Sequence, residues 1–226
     1  MSRRFEALEN AWAYAGWLDV SSEAAAPRPV AADAAASIPA IVSRVSMEEE
    51  MVRLHQHLNA LLPDHAHRAI QFIGSCEGEG TSTVAHEFAR VSAARSGQRV
   101  LLLEMNGHAV AASAGGDKTF DVAPLPQEFL AASHTTDSGA PAAAWDKLRT
   151  TYDLILVDSP PATTSSQGLA VSSQVDGVVL VLAAEDTRWP VAERVKQSIE
   201  RSGGRLLGIV LNKRQYHIPQ FIYRRL

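Results

Sequence analysis

Five apolar runs constrain this chain more than any other feature. They cover residues 69–73, 100–103, 154–157, 178–182 and 206–211, and they are continuous rather than alternating with polar residues. Strands of that kind are covered on both faces, as in parallel sheets. Helical patterns lie between several of them. Val84, Phe88 and Val91 make one stripe, closed by Gly97. Val191, Val195 and Ile199 make another, opened near Pro190 and closed by Gly203-Gly204. Alternating strands and helices predict an α/β fold, a doubly wound and mainly parallel sheet flanked by helices. Ligands of such sheets bind beyond the carboxyl ends of the strands. A glycine-rich turn, Glu104 and Asp158 all fall at those ends.

The turn reads Gly74-Ser75-Cys76-Glu77-Gly78-Glu79-Gly80-Thr81-Ser82-Thr83 and directly follows the first apolar run. An apolar run, a glycine-rich turn and a helix lay out a phosphate site: backbone N–H groups cradle the phosphates, and the helix dipole favours their charge. The pattern normally carries Gly-Lys-Ser/Thr, with the lysine on the β- and γ-phosphates and the hydroxyl on Mg²⁺. Here Thr81 takes the lysine position. The shape of a P-loop is written, and its main positive charge is absent. A second signal is Asp158-Ser159-Pro160-Pro161, which ends the run 154–157 with a carboxylate able to orient Mg²⁺ and its waters.

Composition narrows the setting. Among 226 residues the net charge is −4, which argues against bulk nucleic-acid binding. Cys76 is the single cysteine, so no disulfide framework exists and a reducing compartment is expected. No run approaches the ~18 apolar residues of a membrane span, and no signal peptide is visible. A cytoplasmic protein is expected, peripheral at the inner membrane through a partner. Residues 1–19 read as a short amphipathic helix, from Phe5, Leu8, Trp12 and Ala15. Residues 20–45 read as an Ala/Pro-rich, disordered linker. The globular domain is expected over 46–212, opening with Glu48-Glu49-Glu50 at a helix N-terminus and ending that helix before Pro63. Residues 213–226 form a basic-aromatic tail. The segment 105–142, rich in Ala, Gly and Ser, reads as a poorly ordered excursion with one apolar patch at 125–130.

With both motifs in hand, residues 47–212 resemble the bacterial tyrosine kinases of polysaccharide export, within the wider MinD/ParA-like P-loop group. The family's loop reads Pro-Gly-Glu-Gly-Lys-Ser-Thr, and Gly78, Glu79, Gly80, Ser82 and Thr83 match it. The resemblance implies a P-loop NTPase-like fold and nucleotide contacts from Gly78, Glu79, Gly80, Thr81, Ser82, Thr83 and Asn212, the last near the adenine. It implies Mg²⁺ at Ser82 and Asp158, with Asp158 and Glu104 as catalytic carboxylates. Tyr216 and Tyr223 are what remains of a tyrosine-rich tail and are the candidate phosphorylation sites. The departures fall on charged positions. Besides Thr81, the family's second carboxylate motif is reduced to Glu104, Asn106 and His108, Gln167 stands for an aspartate, and Gln56 replaces the last arginine of an oligomerisation motif that keeps Glu50 and Arg53.

Phosphoryl transfer is mostly positioning and stabilisation of developing negative charge, and loss of one such donor typically costs ~2.7–4 kcal/mol of barrier. The expectation is therefore a degenerate kinase. ATP and Mg²⁺ would bind weakly or not at all, and the protein would act through an inner-membrane polysaccharide co-polymerase, with homo-oligomers weakened by Gln56. Two alternatives stand beside it: an active tyrosine kinase or ATPase whose missing cation comes in trans, and a MinD/ParA-like positioning ATPase. Lys213 and Arg214 are read as solvated, and Cys76 as an inert small residue. His55, His57, His65 and His67 are read as surface histidines rather than a metal site, because residues two apart do not share a helix face.

Overall fold

A computed structural model describes residues 18–20, 38–62, 67–105, 120–131 and 139–213. Six strands make the sheet: β2 (Arg68–Gly74), β3 (Val100–Glu104), β4 (Asp121–Pro124), β5 (Leu154–Ser159), β6 (Gly177–Ala183) and β7 (Leu206–Asn212). A three-residue strand, β1 (Leu18–Val20), joins its edge. The order is β1-β7-β6-β2-β5-β3-β4 and every pairing is parallel. All five predicted runs are strands. β2 lies at the centre between β6 and β5, so the glycine loop that follows it opens at the crevice where such sheets take ligands.

Alternation along each strand sorts the core into two layers. Ile70, Phe72, Leu102, Leu156 and Val179 face α1 (Ile38–Leu61) and α2 (Thr81–Ser96). Their neighbours Leu101, Leu103, Ile155 and Val157 face α3 (Gln127–Ala131) and α4 (Gly139–Thr151). Ile73, Val178 and Leu180 face α6 (Trp189–Arg201). The stripe predicted on α2 is the buried one, and Phe88 meets Phe72 with ring centroids 5.4 Å apart. Gly97 closes α2 in the left-handed conformation, φ 62°, which glycine adopts without steric cost.

Three boundaries differ from expectation. The leading helix begins at Ile38, not near Ser46, so residues 38–45 belong to a helix rather than a linker. Pro39 in its first turn is no obstacle, because the N–H it lacks would have no helical partner there. Glu48-Glu49-Glu50 therefore sits mid-helix, where Glu48 pairs with Arg95 of α2 at 2.6 Å instead of meeting a helix dipole. Leu18–Val20 is a strand across the expected boundary between helix and linker. The segment 105–142, expected to lack order, contributes β4 and α3, and α4 starts inside it at Gly139. It escaped reading because Asp121, Val122 and Pro124 are exposed on an edge strand that carries no continuous apolar signal.

His55 is not a surface residue: it is half-buried, its ring nitrogen Nδ1 lies 3.0 Å from Ser92 Oγ, and burial pulls its pKa down. The leading segment 1–17, Asn106, His108, His65, Tyr216 and Tyr223 lie outside the described residues. Among those described, no helix is long and apolar enough to cross a membrane.

Phe129 of α3 is fully buried and stacks on Trp145 of α4, ring centroids 4.6 Å apart. If this unit belongs to the core, Phe129→Ala lowers stability by ~3–5 kcal/mol, the usual cost of truncating a buried aromatic. Urea unfolding measures it, and a change under 1 kcal/mol would return the segment to the status of a loose excursion.

Candidate nucleotide site

The glycine loop, residues 74–80, is bent by its glycines and held by one carboxylate. Gly78 and Gly80 take φ 80° and 85°. A Cβ on Gly80 would sit 2.3 Å from Asn212 Nδ2, so this position admits only glycine on both counts. Glu79 is buried, 3% exposed. Its carboxylate accepts from the N–H groups of Ser75 and Cys76, the latter at 2.9 Å, and from the hydroxyls of Ser75 and Thr187. The Thr187 hydroxyl also accepts from Ala183 N–H at the end of β6. The matched glutamate thus spends its side chain on the loop's own donors.

Asn212 behaves similarly. At the end of β7 its Nδ2 donates to Glu79 O at 2.9 Å, and its Oδ1 accepts from Lys213 N–H at 2.9 Å. The residue is 2% exposed, and its amide ties the end of β7 to the loop. Thr81 folds back: its Oγ1 lies 2.6 Å from where a Gly74 side chain would begin. Ser82 is half-buried and Thr83 exposed on the first turn of α2.

Beyond the loop, Glu104 and Asp158 are register partners at the ends of β3 and β5, both buried. Glu104 does not stand free, because His86 Nε2 lies 2.8 Å from its Oε1. His86 was missed by sequence reasoning, although it sits one helical turn after Ser82 and so on the same face of α2. Asp158 Oδ1 is buried with no hydrogen-bond partner. Burial pushes the Asp158 carboxyl up to about 6, Glu104 adds to the rise, and the Ser82 hydroxyl and His86 pull against it. An orphaned buried carboxylate oxygen beside a serine hydroxyl and a second carboxylate suits a hard divalent cation such as Mg²⁺. These residues therefore fit the metal half of a nucleotide site. Gln167 is exposed at the start of α5 (Gln167–Val171). On α1, Arg53 bonds Glu50 at 2.9 Å, and Gln56 is exposed.

The segment bearing Asp158 is anchored by a buried polar network. Gln71 Nε2, in the middle of β2, donates to Ser159 Oγ and Gly168 O at 2.7 Å each, and its Oε1 accepts from Ser172 Oγ at 2.8 Å. One polar residue inside an apolar run thus ties β2, β5 and α5 together.

A parallel sheet with a glycine loop at its switch point and a carboxylate on the neighbouring strand defines a P-loop NTPase-like fold. No family model matches the chain. Its sequence relatives are bacterial tyrosine kinases. It is 32% identical over 90 residues to the putative tyrosine-protein kinase CapB of Staphylococcus aureus, covering 40% of this chain and 37% of that protein. Tyrosine-protein kinase YwqD of Bacillus subtilis is 23% identical over 209 residues, covering 78% of this chain and 85% of that one. The match to CapB therefore spans well under half of that relative's length. Among solved structures, the chimerical protein CapA2B2 superposes with a TM-score of 0.60 at 22% identity, covering 74% of this chain and 85% of the other. The kinase domain of Escherichia coli tyrosine kinase ETK gives 0.59 at 19%, covering 77% and 79%. The resemblance read from the motifs holds at the level of sequence relatives and of fold.

The position of Asp158 has a measurable consequence. A carboxyl raised above its unfolded value binds more protons in the folded state, so it favours folding as pH falls below about 6 and weakens it at neutral pH. Asp158→Asn removes that burden. Without Mg²⁺ or nucleotide at pH 7.5 it is expected to stabilise the fold by ~1–3 kcal/mol, a Tm rise of ~2–4 °C per kcal/mol at this chain length. At pH 5, between the ordinary and the raised value, the gain falls to roughly half, and it vanishes only below the ordinary aspartate range. Thermal melts at the two pH values test this, and an equal effect at both would show that the carboxyl is not raised.

Proposed function

We propose that this chain is a kinase-like component of bacterial polysaccharide synthesis and export, a catalytically degenerate tyrosine kinase that works through a partner. The observation carrying this reading is the pairing of a kept scaffold with displaced charge. The loop, Ser82 and Asp158 retain their places, whereas Thr81 turns back onto Gly74 and His86 occupies Glu104. The kinase names of the sequence relatives and the capsule-related names CapB and CapA2B2 support the pathway.

A bound nucleotide–Mg²⁺ would supply the electrophilic phosphorus and the divalent charge. The glycine loop would cradle its phosphates, with Ser82 and Asp158 as metal ligands. A tyrosine hydroxyl would have to lose its proton where the surrounding carboxylates disfavour an anion. No lysine at position 81 offsets the transferring phosphoryl group. Binding to the cytoplasmic segment of an inner-membrane co-polymerase is then the retained role.

Incubation of the full chain with ATP–Mg²⁺, with and without that cytoplasmic segment, is expected to give no phosphotyrosine, while calorimetry detects the segment binding whether or not ATP is present. Phosphotyrosine that disappears in Asp158→Ala would replace this reading with an active kinase whose cation arrives in trans.

A further inference from the structure

The strand that leads into the glycine loop has a polar side chain at its centre. Gln71 lies in the middle of β2, fully buried between Ile70 and Phe72. Its amide is used from both ends: Nε2 donates to Ser159 Oγ and Gly168 O, and Oε1 accepts from Ser172 Oγ. The Ser159 hydroxyl in turn donates to Met105 Sδ at 3.1 Å, so the network reaches the residue after Glu104. A buried amide adds little net stability even when its bonds are made, and an aliphatic side chain would fill the position without needing partners. What a fully bonded polar network adds is a single geometry.

That geometry bears on Asp158. Side chains alternate along β5, with Leu156 in the layer of α1 and α2 and Val157 in the layer of α3 and α4. Asp158 therefore faces α2, where it meets Ser82, and Ser159 faces the other way. Gln71 grips the strand end one residue past the carboxylate and from the opposite face of the sheet. The chain beyond returns to the glycine loop. Ala162 N–H donates to Gly74 O at 2.9 Å, and the Thr163 hydroxyl donates to Ser75 O at 2.6 Å. Pro160 and Pro161 stiffen the connection, since each ring fixes its own φ. The bonds close a circuit: from Gln71 along β2 to Gly74 and Ser75, across to Ala162 and Thr163, back through two prolines to Ser159, and across to Gln71. The short helix α5 is held to this circuit through Gly168 O and the adjoining Ser172.

We propose that Gln71 and Thr163 are positioning residues that fix Asp158 against the phosphate cradle, so that the chain and not the ligand sets the spacing between the two halves of the site. The inference rests on reading the loop as a phosphate cradle and Asp158 as a ligand of its Mg²⁺. It goes beyond that reading by assigning the spacing to residues that hold the backbone, and it is independent of the partner-binding role. It accounts for an amide, rather than another aliphatic side chain, at the centre of an apolar strand.

Calorimetric titration of the full chain with ADP, with and without Mg²⁺, reads the spacing as the factor by which Mg²⁺ tightens binding. The wild type is expected to show a factor of at least ten, and Gln71→Leu a factor below three. Gln71→Leu also strips Ser159 and Ser172 of a partner, so its unfolding midpoint should fall. Adding Ser159→Ala and Ser172→Ala removes the orphaned hydroxyls. The triple variant should regain most of the midpoint and none of the Mg²⁺ factor, whereas a merely structural role would restore both together. Thr163→Val, at an exposed position, opens the circuit at its other end without entering the core and should cut the factor at least threefold. The inference is overturned if Gln71→Leu keeps the wild-type factor, if the triple variant regains it with the midpoint, or if Thr163→Val leaves it unchanged. A wild type that binds no ADP, or a Mg²⁺ factor that is absent or survives Asp158→Asn, would overturn it together with the reading of the site.

Discussion

A carboxylate folded inside its own loop organises the ligand end of this sheet. Glu79 gathers N–H groups of Ser75 and Cys76 and hydroxyls of Ser75 and Thr187, while its carbonyl receives Asn212. Through these bonds the carboxyl ends of β2, β6 and β7 are joined at one residue. A buried charge is tolerable only when desolvation is offset by donors aimed at it, and charge-assisted bonds are about twice as strong as neutral ones. Removing the carboxylate would leave several donors facing nothing. The loop's shape is therefore held by the chain's own groups, with Thr81 at the position a P-loop usually gives to lysine.

The same interaction raises the electrostatic demand on the site. An anion built into the loop, with Glu104 and Asp158 nearby, makes the mouth of the sheet acidic before a nucleotide arrives. Two local responses are visible. His86 sits on Glu104, and the Asp158 carboxyl is displaced toward its neutral form, chiefly by burial. The second of these lowers negative charge without a metal or a P-loop lysine.

What the sequence made legible follows from how local each cause is. The five central strands were readable because burial on both faces writes an unbroken apolar run, and the ends of α2 and α6 because Gly97, Pro190 and Gly203 act within one turn. β4 was not, since its side chains are largely exposed on an edge, and α3 is five residues long, too short to write a helical stripe. In the site, the glycines and Asp158 were found from motif spacing. His86 was within reach of an i, i+4 argument from Ser82. Thr187 was not, because it is brought to Glu79 by a pairing of strands remote in sequence. Asn212 was found by position, but its bond to the loop carbonyl of Glu79 joins residues remote in sequence and could not be read from the motif.

Lys213 illustrates the limit most sharply. From sequence, a lysine followed by Arg214 at the head of a basic tail has every mark of a solvated residue, and long cations usually are solvated. The structure supplies three facts that composition cannot: a left-handed backbone, an amide that locks it, and a glycine against its stem. Gly80 is then constrained from two directions. Its φ excludes a side chain, and so does the amide of Asn212, which would stand 2.3 Å from the new carbon. Any residue larger than glycine at position 80 would push away the same amide that holds Lys213. Loop curvature and the turn that follows β7 are therefore one constraint rather than two.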